Sequence, residues 1–183
     1  MKKIILCFSF AAFLLSCNND KDDKTATSST DSTTMSAPMS TIDLPYTASY
    51  SSSFTTDVSD ADLKMVLTTY KDWETGNLGG LPGAMADTVD LDFAGGEHFR
   101  LSNADLMKMW TSYRNDTLSA VTIDMQGWQK MYAADKKEGH IVTWYKEIDT
   151  YKNGKVDSAY YHDINRLKDG KITWYAQYKR PAK

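Results

Sequence analysis

Cysteine is nearly absent from this chain of 183 residues: there are two, Cys7 and Cys17. From residue 18 onward the chain can form no disulfide and offers no thiol nucleophile or cysteine metal ligand. Histidine is almost as scarce, with His98, His140 and His162 the only three, and the nearest pair lies 22 positions apart. That is not a metal-binding spacing, so no metal is expected, and nothing suggests a cofactor. Basic charge is short as well, 21 Lys and Arg against 24 Asp and Glu. A nucleic-acid partner calls for a basic face, so none is expected. No apolar run reaches the roughly 20 residues that span a bilayer comfortably. A G-x-S-x-G elbow, a phosphate loop and a dinucleotide fingerprint are all missing, which leaves hydrolase, NTPase and hydride-transfer readings without support.

What is present begins at the N-terminus. Met1, Lys2 and Lys3 precede an apolar run from Ile4 to Leu15, followed by Ser16 and Cys17. A basic start, a short apolar core and a small residue make a secretory signal. Leu14-Leu15-Ser16-Cys17 resembles the lipobox of bacterial lipoproteins. The resemblance implies that residues 1–16 are removed and that Cys17 is lipidated, each buried CH₂ adding about 0.8 kcal/mol of attachment to a lipid bilayer. Asn18 after the cysteine, in place of Asp, matches the sorting pattern for the outer membrane of a Gram-negative bacterium. Lys21-Asp22-Asp23 resembles an acidic signal for display at the cell surface. Loss of residues 1–16 would leave 19 basic against 24 acidic side chains, a net charge of about −5.

Residues 17–57 are mostly Ser, Thr, Asp, Asn and small residues with no sustained period. Such a segment cannot bury enough apolar surface to compensate for its ordering entropy and reads as a flexible tether. Asp31-Ser32-Thr33 fits an O-glycosylation pattern, and Tyr50 and Phe54 are among the few large apolar side chains.

Residues 58–183 suit one domain. Ser59-Asp60-Ala61-Asp62 resembles a capping box, and Leu63, Val66, Leu67 and Tyr70 follow at helical spacing with Trp73 a turn further. One face is apolar, which predicts a surface helix ending at Gly76. Gly79 to Gly83 breaks the helical pattern, and Val89, Leu91 and Phe93 alternate with Asp90 and Asp92 as a short strand. A second capping box at Ser102 to Asp105 opens a second amphipathic helix through Leu106, Met109, Trp110 and Tyr113.

After Asn115 the pattern is that of long strands, with Asn153-Gly154 and Asp169-Gly170 between the last three. These dipeptides favour two-residue hairpin turns, which would set the register. Leu167 then faces Ile172, Asn165 faces Trp174, and Asp163 faces both Ala176 and Trp144. Lys146 lies diagonal to Asp163. The core face would carry Val142, Trp144, Tyr161, Leu167, Ile172, Trp174, Ala176 and Tyr178. Thr143, Tyr145, Glu147, Asp149, Tyr160, His162, Tyr175 and Gln177 would face out. A single β-bulge would undo this arrangement.

The run from His162 to Tyr178, HDINRLKDGKITWYAQY, resembles the C-terminal hairpin of the SnoaL-like and nuclear transport factor 2-like superfamily. The segments YKDWETGNL from Tyr70 and MADTVDLDF from Met85 resemble its first helix and following strand. The resemblance covers most of residues 60 to 180. It implies an α+β, cystatin-like cone, a curved and mostly antiparallel sheet wrapped around two to three helices, with a pocket at the open end. The superfamily includes ketosteroid isomerase, polyketide cyclases, dehydratases and domains without catalysis. By that resemblance Asp163 matches a protonated pocket acid, Asp92 lies near the general base but one residue out of alignment, and Tyr70 stands for a phenol. Tyr175, Ala176 and Gln177 replace the His-Trp-Asp run of many relatives.

The expected pocket therefore comprises Trp144, Lys146, Tyr161, Asn165, Trp174, Tyr70 and Asp92, with Asp163 as the catalytic candidate. If Lys146 reaches Asp163, the pair is a structural salt bridge. If it does not, burial raises the Asp163 pKa and a neutral acid is available. Three functions stay open: a pocket for a small apolar ligand without catalysis, an isomerase, cyclase or dehydratase using Asp163, and a homodimeric or envelope interaction domain.

Overall fold

The computed structural model describes residues 43–182. Helix α1 spans Asp60–Thr75 and starts as its capping signal dictates, with the Asp62 N–H donating to Ser59 Oγ at 3.0 Å. The second half of the box differs, because Asp62 Oδ2 accepts from the Ser59 hydroxyl at 2.8 Å. Gly76 ends the helix in the left-handed region at φ 74°, where a side chain is strained. A 3₁₀ turn at Leu78–Gly80 and the single-turn helix α2, Leu81–Ala84, occupy the glycine-rich stretch that was expected to be irregular.

Strand β2, Met85–Asp92, buries Val89 and Leu91 completely. It pairs antiparallel with β3, His98–Ser102, a strand the sequence pattern did not predict. β3 is an edge strand with mostly exposed side chains, so it lacks the clean in/out alternation that marks a half-buried strand. Helix α3, Asn103–Ser112, is capped by Ser102 Oγ, which accepts from the Asp105 N–H at 3.1 Å. A π-turn, Tyr113–Thr117, follows. It buries Arg114, whose Nε and Nη2 donate to the Trp73 and Glu74 carbonyls at 3.0 and 3.2 Å. A cation at the C-terminal end of α1 meets both its unpaired carbonyls and its dipole.

The long strands are β4 (Leu118–Ala133), β5 (Glu138–Tyr151), β6 (Val156–Lys168) and β7 (Lys171–Pro181). A two-residue strand β1, Phe54–Thr55, adds to the edge of β4. The seven-stranded curved sheet runs β1-β4-β5-β6-β7-β2-β3, and only β2 and β7 pair in parallel. The architecture is α+β, the cone expected from the sequence. Within the stretch read as tether, Tyr50 docks on the sheet, its hydroxyl donating to Glu138 at 2.6 Å and its ring edge-on to His140.

Register is where the structure departs most from expectation. The turn at Asp169-Gly170 is the predicted two-residue one, with both residues at positive φ and Lys168 opposite Lys171. One step further, a bulge leaves Thr173 unpaired, so Arg166 faces Trp174, Asn165 faces Tyr175 and Asp163 faces Gln177. The other turn holds three residues, Lys152 to Gly154. The Tyr151 N–H reaches the Lys155 carbonyl, and of the two turn residues Asn153 and Gly154 only Gly154 has positive φ. Thr143 therefore faces Asp163, Tyr145 faces Tyr161, and Trp144 faces His162. Because side chains alternate, each one-residue slip turns a whole strand over. All of β5, and β7 beyond the bulge, present the opposite face from the one expected.

Candidate functional site

The inner face of β5, β6 and β7 meets α1 and α3, and a cavity of about 490 Å³ opens between them. Its apolar wall includes Trp73 from α1, Met109 and Trp110 from α3, and Phe93 from the loop after β2. Its polar end is built by alternate residues of the three strands: Tyr145, Glu147 and Asp149, then Tyr161 and Asn165, then Tyr175, Gln177 and Lys179. Rings of Phe93 and Trp110 meet Tyr175 edge to face, at 66° and 80° between planes.

Behind this polar end sits Asp163, fully buried. Its Oδ2 accepts three phenol protons, from Tyr145 at 2.7 Å, Tyr175 at 2.8 Å and Tyr70 at 3.0 Å. Donors feed this array from further out. The Tyr70 hydroxyl accepts from Thr143 Oγ1 at 2.9 Å and Asn165 Nδ2 at 3.0 Å, and Gln177 Nε2 donates to the Tyr175 hydroxyl at 2.8 Å. Asp163 Oδ1 is shielded from solvent and has no partner among the described residues. Burial pushes the Asp163 carboxyl up to about 7, against the pull of the three tyrosines. Those tyrosines are themselves pushed far up by burial, with the Asp163 charge adding to the effect, so they keep their protons.

Glu147 and Asp149 form a second acidic centre, and this one lines the cavity. Burial comes first in raising Glu147 to about 8, followed by the charges of Asp149 and Asp163. Asp149 is also raised by burial, but the hydrogen bond from Glu147 and the Lys179 ammonium hold it back. Of the two, Glu147 is the one pushed further toward its protonated form. Asp149 Oδ1 is shielded from solvent and has no partner among the described residues.

The expected site residues divide into two groups. Tyr70, Tyr161 and Asn165 line the cavity, and Asp163 stands behind them. Trp144, Lys146, Trp174 and Asp92 lie on the other side of the sheet and are corrections. Trp144 stacks on His162, and the Lys146 ammonium sits 5.9 Å from the centre of the Tyr160 ring, so no Lys146 salt bridge reaches Asp163. Trp174 donates through Nε1 to Asp92 Oδ2 at 2.6 Å, and His98 Nδ1 is 2.7 Å from the other Asp92 oxygen. Those two hydrogen bonds, His98 first, hold the Asp92 carboxyl below its usual range. The three-residue turn accounts for Trp144 and Lys146, the bulge at Thr173 for Trp174. Asp92 points outward as its alternation with Leu91 and Phe93 required.

The same slips hid the cavity's own chemistry. The register expected from two-residue turns puts Tyr145, Glu147, Asp149, Tyr175 and Gln177 on the outer face. The available signal was the spacing of Thr143, Tyr145, Glu147 and Asp149, four polar-tipped residues on one face of a strand.

No protein-family model matches this chain, and no curated relative matches its sequence. Solved structures do resemble it. A LEH-like epoxide hydrolase from M. tuberculosis superposes with a TM-score of 0.55 at 10% identity, covering 66% of this chain and 83% of its own. An NTF2-like protein of unknown function from Burkholderia pseudomallei gives 0.54 at 12%, covering 67% and 92%. AusH from Aspergillus nidulans gives 0.53 at 11%, covering 69% and 88%.

Proposed function

We propose that this domain, whose fold is that of the NTF2-like and SnoaL-like proteins, takes up a small molecule in the cavity and exchanges a proton with it. Chemistry of this kind belongs to isomerases, cyclases and dehydratases. The observation that carries the reading is the pairing of Glu147 with Asp149, two carboxyls that both line a cavity with an aromatic wall. A volume of about 490 Å³ falls within the range of small-molecule pockets. A pKa of about 8 lets Glu147 both give and accept a proton near neutrality, where general acid–base catalysis is most efficient. Asp163 is fully buried and reaches the cavity through Tyr70, Tyr145 and Tyr175, so its part is to orient them.

Native mass spectrometry of the full chain, extracted in detergent and compared with its denatured mass, tests uptake. The expected result is a small-molecule adduct lost on denaturation, whereas a bare mass counts against the pocket. Incubating the released molecule with the chain in D₂O tests the proton step. Deuterium incorporation is expected to fall by about a hundredfold in Glu147→Gln, the order of a general acid–base contribution. Equal incorporation in both chains would reduce the site to passive binding.

The tethering suggested by Cys17 belongs to the same reading, although Cys17 lies outside the described residues. A lipid anchor would hold the cavity at the surface of the outer membrane. Cys17→Ala is expected to move most of the chain from the membrane pellet to the supernatant and to abolish fatty-acid labelling. If the variant still pellets and labels, the anchor is wrong.

A further inference from the structure

The polar end of the cavity carries acceptors that its own donors do not satisfy. Tyr145 and Tyr175 have committed their hydroxyl protons to Asp163, so each turns lone pairs, not a proton, toward its other neighbours. Asp149 adds a solvent-shielded oxygen with no donor. The carboxylates of Glu97 and Asp149 line the cavity beside the more readily protonated Glu147, against the Lys179 ammonium. Trp73, Trp110 and Tyr161 line the same cavity. Aromatic faces with carboxylates below attract cations and repel anions. The protein already uses one of these faces in that way, since the Lys179 Nζ lies 5.5 Å from the centre of the Tyr161 ring.

From this arrangement we infer that the molecule the cavity takes is an organic amine in its ammonium form, with N–H groups donated to the Glu147–Asp149 pair and a hydrocarbon body against Trp73 and Trp110. The inference rests on the proposed uptake of a small molecule and names its class. An ammonium supplies a donor for Asp149 Oδ1, which has none among the described residues. A neutral carbonyl compound brings no donor for that oxygen, and a carboxylate would add charge repulsion.

The test compares three probes of nearly one shape: cyclohexylmethylammonium, cyclohexylmethanol and cyclohexanecarboxylate. Binding to the full chain, in nanodiscs of zwitterionic phosphatidylcholine at pH 7.5, is followed by calorimetry and by tryptophan fluorescence. The ammonium is expected to bind about tenfold or more tightly than the alcohol, and the carboxylate weakest, in line with cation–π and charge-assisted contacts. Asp149→Asn should bring the ammonium and alcohol affinities together. Lys179→Met, which removes the competing cation at the rim, should raise the ammonium affinity several-fold and widen the gap to the alcohol. A gain of this kind does not arise from misfolding.

An alcohol that binds as well as the ammonium, or a carboxylate that binds best, overturns the amine assignment and leaves the pocket standing. A preference for the ammonium that survives Asp149→Asn unchanged overturns it too. If none of the three probes binds, the proposed uptake fails together with this inference.

Discussion

Asp163→Leu is expected to destabilise the domain by about 3–5 kcal/mol, the usual cost of removing one partner from a buried polar array. The carboxylate is the shared acceptor of three phenols, and leucine fills its space but leaves all three hydroxyls without one. Each unsatisfied buried donor costs about 1–3 kcal/mol. Asp163→Asn keeps a carbonyl oxygen in place and is expected to cost only about 1 kcal/mol, the size of an ordinary net hydrogen bond. Urea unfolding at pH 5 is the measurement, because Asp163 is protonated there and most of the cost of burying its charge has gone. The decisive comparison uses a Tyr145→Phe, Tyr175→Phe background. There Asp163→Leu should cost far less, since two of the orphaned donors no longer exist. The same cost in both backgrounds would mean that the array is not what holds this part of the core.

The second large effect is a stability that rises as pH falls, the reverse of ordinary acid unfolding. Glu147 moves from an ordinary value of 4.5 when unfolded to about 8 when folded, and Asp163 from 3.8 to about 7. Both groups hold a proton more tightly in the native state, so between their unfolded and folded values the native chain binds more protons than the unfolded one. Stability must then fall as pH rises through that window. It is highest toward pH 4.5, declines to about pH 8 and levels off above it. At about 1.4 kcal/mol per pKa unit, the Glu147 contribution is on the order of 5 kcal/mol across the window. Glu147→Gln, neutral at every pH, should be more stable than the parent at pH 8.5 and should show a flatter profile. Thermal or urea unfolding from pH 4.5 to 9 checks this. A parent profile that is flat, or that rises with pH, rules out a native Glu147 that holds its proton to near neutrality.

Much of the architecture was legible in the chain. The serines at 59 and 102, each with an acid three residues on, marked both helix starts, and Gly76 marked an end. Local capping and the 3.6-residue apolar period need no distant information. Asp169-Gly170 likewise dictated its own turn, because both residues tolerate positive φ. β3 was not legible, because an exposed edge strand has little burial to impose a pattern on its residues.

The candidate site was only half legible, for a reason that lies in the length of one turn and the presence of one bulge. Asn153-Gly154 suits a two-residue turn and a three-residue turn alike, since both need positive φ at the glycine. The choice decides whether Glu147 and Asp149, or Trp144 and Lys146, face the helices. Local preference favoured the tryptophan as the core residue, yet the protein leaves Trp144 on the outer face at 37% exposure and buries Tyr145. What favours that outcome lies far along the chain. Tyr145 finds Asp163 across the hairpin, Thr143 finds Tyr70 93 residues before Asp163, and the bulge at Thr173 turns Tyr175 toward the same carboxylate.

By itself the sequence determined the two amphipathic helices, the antiparallel meander of the last three strands, the strand that carries Asp163 and the face it points to, all of which follow from short-range periodicity and turn chemistry. Only the tertiary structure decided which residues share that face with it. Strand register is a relation between distant segments, set by how many buried hydrogen bonds and apolar contacts the whole sheet can satisfy at once, and a single extra residue in a turn reverses it.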